Sequence, residues 1–203
     1  YELSAIYIKG IGSFNMSLYQ LFTTNTIESV TTFQDNISVR GPQNLGTKRV
    51  NGLEINGKIN PTPKIVVSGD FNFNTFDRKA AWQGQSFDFS GNSWLSEITS
   101  KYKFPKSLDV EMSWNYQSRF KTIDGESLPS QFLNFGVRKK LLKGKGVISF
   151  NIRDLFATRV RENITTRSNF NIWSRTSYGR FWVLGLSYGF GKGEAMEFTG
   201  RRR

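Results

Sequence analysis

The chain has 203 residues, a net charge of +12, 37% hydrophobic and 15% aromatic content, and neither cysteine nor histidine. Those two absences exclude disulfides, thiol nucleophiles, cysteine-ligated zinc and any Ser-His-Asp or Cys-His arrangement, and they remove the commonest metal ligand and general base. No run of 18 apolar residues occurs, which excludes a transmembrane helix, and the opening YELSAIYIKG lacks the basic-then-apolar layout of a signal peptide.

The apolar residues come mostly singly, at every second position, as in strands with two unlike faces. Residues 1–9 are extended but weakly patterned. SFNMSLYQ sets Phe14, Met16 and Leu18 against Asn15, Ser17 and Tyr19. NGLEINGKI sets Leu53, Ile55 and Ile59 against Gly52, Glu54, Asn56 and Lys58. VVSGDFNFN sets Val67, Phe71 and Phe73 against Ser68, Asp70, Asn72 and Asn74. A second weak segment covers 92–104. In LDVEMSWNYQ, Leu108, Val110, Met112, Trp114 and Tyr116 oppose Asp109, Glu111, Ser113, Asn115 and Gln117. FLNFGVR sets Leu133, Phe135 and Val137 against Asn134, Gly136 and Arg138, and VISFNI sets Ile148, Phe150 and Ile152 against Ser149 and Asn151. The last segment, GRFWVLGLSYGFGKG, puts Trp182, Leu184, Leu186, Tyr188 and Phe190 on one face and Val183, Gly185, Ser187 and Gly189 on the other. The reading is all-β: an antiparallel up-and-down meander of about nine strands, with no convincing helical period.

Short Gly/Pro connections fall at 9–13, 60–64, 104–108 and 143–146. Between them lie long polar segments at about 30–48, 76–92, 120–131 and 160–176, read as loops. Tight turns at one end and long loops at the other are the pattern of a transmembrane β-barrel. A soluble sandwich is the competing reading, with the apolar faces in a core. Three features favour lipid. The polar faces are rich in Asn, Ser, Gly and Asp. Tyr102, Phe104, Trp114, Tyr116, Trp182, Tyr188 and Phe190 lie near strand ends, as interface girdles require. The strands are also longer than those of most globular sheets. Nine is an odd count, whereas single-chain bacterial barrels use even numbers, so the chain is expected to be part of a larger barrel. Residues 1–191 are assigned to that barrel portion and 192–203 to a short flexible C-terminal tail.

NLGTKRVNGLEINGKINPTPKIVVSGDFNFN resembles the barrel of TonB-dependent outer-membrane receptors of the Bacteroidota type. The likeness is carried by Asn44, Gly46, Gly52, Glu54, Pro61, Gly69, Asp70, Phe71 and Asn72. ISFNIRDLFATR resembles a late strand of that family ending in an Asp-hydrophobic-Phe break, here Asp154, Leu155 and Phe156. LGLSYGFGKG resembles its closing strand. The resemblance implies a C-terminal barrel segment of a receptor that imports a nutrient ligand through the outer membrane. Its implied partners are a plug domain, TonB, outer-membrane lipid and lipopolysaccharide, and the outer-membrane assembly machinery, for which Tyr188 and Phe190 would form the signal. Simple interface anchoring by the two rings is the plainer account. No plug, no TonB box and no family-typical chain end are visible, since KGEAMEFTGRRR follows the closing strand.

No catalytic residues, cofactor or metal are expected. Asp109 and Glu111 share a face, but as part of a solvated wall, and Glu54 and Lys58 are expected to find cross-strand partners. GFGKG fails the spacing of a phosphate loop. The basic residues rim both ends: Lys103, Lys106, Lys139, Lys140, Lys143, Lys145 and Lys192 near the short turns, and Arg78, Lys79, Lys121, Arg159, Arg161, Arg167 and Arg175 in or near the loops. A nucleic-acid binder would gather them into one patch, so nucleic acid is not an expected partner. The loop set suits lipopolysaccharide phosphates. Trp82, Phe87, Phe89 and Trp94 are the candidate ligand-binding residues, as aromatics among flexible polar neighbours, with loop-to-loop packing the alternative. Besides import, the chain is compatible with a small structural or adhesive outer-membrane barrel, or with a soluble secreted carbohydrate-binding sandwich.

Overall fold

The structure, a computed structural model, describes residues 1–34, 37–82, 85–166 and 170–190. Its strands come alternately in wall pairs and in hairpins. The first wall pair is β1 (Glu2–Lys9) and β2 (Gly12–Thr24), followed by a hairpin of β3 (Ile27–Gln34) and β4 (Ile37–Asn44). Next come wall strands β5 (Thr47–Thr62) and β6 (Ile65–Lys79), and a small hairpin of β7 (Ala81–Trp82) and β8 (Gln85–Ser86). Then follow β9 (Phe89–Phe104) and β10 (Leu108–Gln117), with β11 (Phe120–Thr122) and β12 (Gly125–Ser127) beyond them. The chain continues through β13 (Ser130–Leu141), β14 (Gly146–Arg153), β15 (Val160–Thr166), β16 (Asn171–Ser177) and finally β17 (Phe181–Tyr188). The nine wall strands form one antiparallel sheet in the order β1-β2-β5-β6-β9-β10-β13-β14-β17. Its two edges are β1 and β17.

This is the expected nine-strand meander, and the four short turns fall where the Gly and Pro residues place them. The long polar segments differ from expectation. Instead of plain loops they contain the hairpins β3–β4 and β7–β8 and a four-stranded sheet of β11, β12, β15 and β16. The wall strands also overrun the alternating segments: β2 continues to Thr24 and β6 to Lys79. Backbone N–H and C=O groups gain the same partners from pairing whether or not the side chains alternate, so ladders continue past the apolar band.

Register keeps the two faces apart. Leu18, Leu53, Phe73 and Trp94 are successive partners across β2, β5, β6 and β9 and make one apolar rung. One step along, Ser17, Glu54 and Asn72 make a polar rung on the opposite face, on which Leu95 of β9 is an apolar exception. The apolar face is uncovered: Met112 is 47% and Leu184 67% exposed. Among the described residues the buried hydrophobics are Val30, Leu45, Val50, Phe76, Ala80 and Ile152, so Leu108, Met112, Phe135, Phe150 and Leu184 form no dry centre. What core exists sits at the hairpin end, where Val30, Leu45 and Ala80 cluster with Phe87 and Ile123 packed against them.

Ring contacts on the apolar face occur toward both of its ends. Toward the hairpin end, Trp94 stacks on Tyr116 at 4.3 Å, with Phe71 and Trp114 each 5.9 Å from a ring of that pair. At the short-turn end, Tyr102 meets Phe104 and Tyr188 meets Phe190, both edge-on. Along β9 the ten-residue step from Trp94 to Phe104 is roughly 34 Å at the usual strand rise. A barrel tilt of about 40° converts that to about 25 Å, the height of an outer-membrane apolar band.

The Asp154-Leu155-Phe156 break is a folded corner. Asp154 takes a left-handed φ of 57° and is 2% exposed. Its carboxylate accepts the backbone N–H of Thr158 at 2.8 Å and of Arg159 at 2.9 Å, plus the Thr158 hydroxyl at 3.3 Å. Asp tolerates this φ because its short side chain bonds locally.

Candidate functional site

The polar face is a wall of short carboxamides, hydroxyls and carboxylates knit by hydrogen bonds. Ser4 and Ser17 hydroxyls lie 2.8 Å apart, Asn56 donates to Glu54 at 3.0 Å, and Ser93 donates to Asn74 at 3.1 Å. Ser113 donates to Glu97 at 3.4 Å and Asn115 to Ser113 at 3.3 Å. Glu54 thus takes its bond from its own strand, and Lys58 stands opposite Ser13 and Ser68 rather than an acid. Toward the short turns the register sets Lys101 opposite Glu111, and Lys103 and Arg138 on either side of Asp109. These cross-strand neighbours carry opposite charges, which favours their pairing.

Three sites keep the wall low. At Gly52 an added Cβ would lie 2.1 Å from the Tyr19 ring, which crosses that glycine to donate to Asn72 at 3.2 Å. At Gly136 it would meet the Asn151 carboxamide at 2.8 Å, and at Gly185 the Ser149 hydroxyl at 2.5 Å. On the same face a recess of about 530 Å³ opens among Glu54, Asp70, Asn72, Glu97, Asn115 and Phe132. It offers acceptors and amide donors next to apolar groups such as Leu95 and Phe132, a mixture suited to a polar organic ligand.

At the hairpin end the wall carries a charged aromatic cluster. Arg78 pairs with Glu28 of β3, and its guanidinium lies 5.3 Å from the Phe76 ring centre and 5.4 Å from that of Phe89. Phe76 and Phe89 meet edge-on at 6.0 Å. Outward positions of β5 turn polar at Asn51 and Arg49, so Lys48, opposite Arg78, stands beyond the apolar band. Burial holds the Lys48 ammonium below its ordinary pKa, the Arg78 charge adds to this, and Glu28 opposes it. Above the cluster, Asp124 at the β11–β12 turn accepts the buried N–H of Thr31.

Three of the candidate ligand aromatics, Phe87, Phe89 and Trp94, do not converge. The Trp82 backbone pairs with Gln85 in the β7–β8 hairpin. Phe87 packs on the Val30–Leu45–Ala80 cluster, and its N–H donates to the Ala80 carbonyl at 2.7 Å. Phe89 joins Arg78 on the polar wall. Trp94 lies on the opposite, apolar face of β9. Phe87 therefore takes part in the loop packing that was the alternative reading.

Several loop arginines have partners within the molecule. Arg159 lies between Phe132 at 4.8 Å and Tyr178 at 4.7 Å, Arg161 lies 5.9 Å from Tyr178, and Arg175 pairs with Glu162 at 3.3 Å. Arg167, Lys192 and the proposed tail at 192–203 lie outside the described residues. In the closing strand, Tyr188 and Phe190 share the apolar face with ring centres 4.9 Å apart, and between them the Gly189 N–H donates to the Lys145 carbonyl at 2.8 Å. Sequence reasoning did not single out Asp124. Its Asp-Gly step marks a hairpin turn, but nothing local signals a partner in β3.

Residues 1–188 match the outer membrane protein beta-barrel family. No curated protein and no solved structure matches the chain.

Proposed function

The chain belongs to the outer membrane protein beta-barrel family, and from that premise we propose that it is the C-terminal barrel segment of a TonB-dependent receptor. It would import a nutrient ligand across the bacterial outer membrane. The work is binding and passage rather than covalent chemistry. A plug domain and TonB are the proposed partners inside, and lipid and lipopolysaccharide outside.

The observation that carries this reading is the largely polar wall, kept low by Gly52, Gly136 and Gly185 and backed by an uncovered apolar face. A lumen meant to stay shut needs large interior side chains that fill it. A low, hydrogen-bonded wall instead leaves room for a plug and for solvent. That favours import over a purely structural or adhesive barrel. A soluble sandwich would need a second sheet on the apolar face, and among the described residues none covers it.

The test is uptake by cells carrying the complete gene, compared with a deletion strain. Labelled oligosaccharides, peptides and metal chelates are supplied with and without an uncoupler of the proton gradient. Uptake of one class should require both the gene and the gradient. Accumulation that ignores the deletion, or that survives the uncoupler, would reject energy-coupled import.

A further inference from the structure

The four short turns and the residues flanking them, 9–12, 60–65, 103–108 and 139–146, contain eight charged residues, and all eight are lysines. They are Lys9, Lys64, Lys103, Lys106, Lys139, Lys140, Lys143 and Lys145, with no acid among them. The opposite end of the sheet mixes its arginines with Glu28, Glu126 and Glu162, with which they pair. Backbone hydrogen bonds tie each short turn to the next. Asn60 donates to Ile11 at 2.6 Å, Lys103 to Lys64 at 2.8 Å, and Lys140 to Ser107 at 3.0 Å. The lysines are thus held as a row along one rim of the sheet.

An apolar hollow opens beside this row. It has a volume of about 840 Å³ and runs from Lys9 and Ile11 at the first turn to Phe71 and Ile98 on the apolar face. Its floor includes Gly57 and Gly69, which are register partners on β5 and β6. Neither glycine is required by crowding. An added Cβ at Gly57 would sit 3.6 Å from Phe14, and one at Gly69 would sit 3.7 Å from the Glu97 carbonyl, both ordinary contacts. What the two glycines contribute is empty space.

We propose that this hollow and the adjoining lysine rim bind one anionic phospholipid of the leaflet at the short-turn end. An acyl chain fills the hollow over Gly57 and Gly69, and the headgroup phosphate lies at Lys9. The inference rests on the membrane placement above. The hollow supplies apolar contact on several sides where a flat wall supplies one. The rim supplies charge complementarity, since lysines near a membrane surface attract anionic lipid.

The full chain in detergent is titrated with dioleoyl phosphatidylglycerol or dioleoyl phosphatidylcholine, and bound lipid is counted by native mass spectrometry. The parent protein should prefer the anionic lipid by about tenfold or more. Lys9→Gln with Lys64→Gln should erase most of that preference, at about fivefold per lysine. Gly57→Val with Gly69→Val adds bulk to the hollow from Cβ positions that make only ordinary contacts. It should weaken both lipids by about tenfold while keeping the preference between them. Equal binding by the filled variant and the parent overturns the proposal. So does a preference that survives loss of the lysines. A parent protein that is monodisperse in buffer without detergent sinks the membrane placement itself, an outcome distinct from the other two.

Discussion

The carboxylate of Asp124 accepts the backbone N–H of Thr31 at 2.9 Å, across 93 residues of chain. Asp124 is 6% exposed and Thr31 8%, so water reaches neither partner freely. The bond joins the β3–β4 hairpin to the β11–β12 turn, next to the Val30–Leu45–Ala80 cluster. With Phe87 on that cluster and β15 and β16 in one sheet with β11 and β12, all four long connections are joined rather than left as independent loops.

Asp124→Ala leaves the Thr31 N–H buried without an acceptor, at a cost of about 2 kcal/mol. Amide exchange at Thr31 and its neighbours in β3 should rise by roughly 30-fold, with the wall strands unaffected. Asp124→Asn keeps an acceptor oxygen and should show a smaller effect. Unchanged exchange in β3 for the alanine variant would mean that the bond holds nothing together.

Tyr19 and Gly52 form a coupled pair. Gly52→Ala puts a methyl where the ring lies and so expels Tyr19 from its bond to Asn72. A loss of about 1–2 kcal/mol is expected for Gly52→Ala. In Tyr19→Ala the same glycine substitution should cost much less, because the obstacle is gone. Unfolding by urea in lipid vesicles measures all four proteins of the cycle. Strict additivity would contradict the pairing.

Met112 and Ser113 are neighbours in β10 that point to opposite faces. Met112→Arg puts a cation toward hydrocarbon and should destabilise the inserted protein by about 2–4 kcal/mol. Ser113→Arg faces the polar wall beside Glu97 and should be nearly neutral. The comparison uses folding into vesicles of fixed composition. Equal penalties, or the reverse order, would show that the two faces have been assigned to the wrong media.

For Tyr188 and Phe190, recognition by the assembly machinery and simple anchoring at the interface give different results. Recognition predicts that Tyr188→Ser with Phe190→Ser lowers outer-membrane insertion in cells by about tenfold while spontaneous folding into vesicles is unchanged. Anchoring predicts comparable losses in both, since aromatic rings at the lipid interface act without a receptor. Fractionation of cells and a folding assay on purified protein separate them.

The strand count, the two faces and the four tight turns were legible in the sequence because each depends on short-range chemistry. Side chains on a strand alternate with a period of two, so Leu108 and Asp109 declare opposite surroundings wherever the strand lies. Gly and Pro mark the turns for equally local reasons. The hairpins β3–β4 and β15–β16 were not legible, because they extend past the apolar band and their alternation has no lipid to answer to.

Position across the sheet was decided only by the tertiary structure. Trp94 and Phe89 look alike in the sequence, five residues apart in one aromatic stretch, yet one stacks on Tyr116 of the apolar face and the other lies beside Arg78 on the polar wall. An odd spacing along a strand reverses the face, and only pairing with neighbours says what waits there. Asp124 and Thr31, the hollow over Gly57 and Gly69, and the joined row of lysines share the same cause. Each arises from residues far apart in the chain that pairing brings side by side, and no local pattern encodes that pairing.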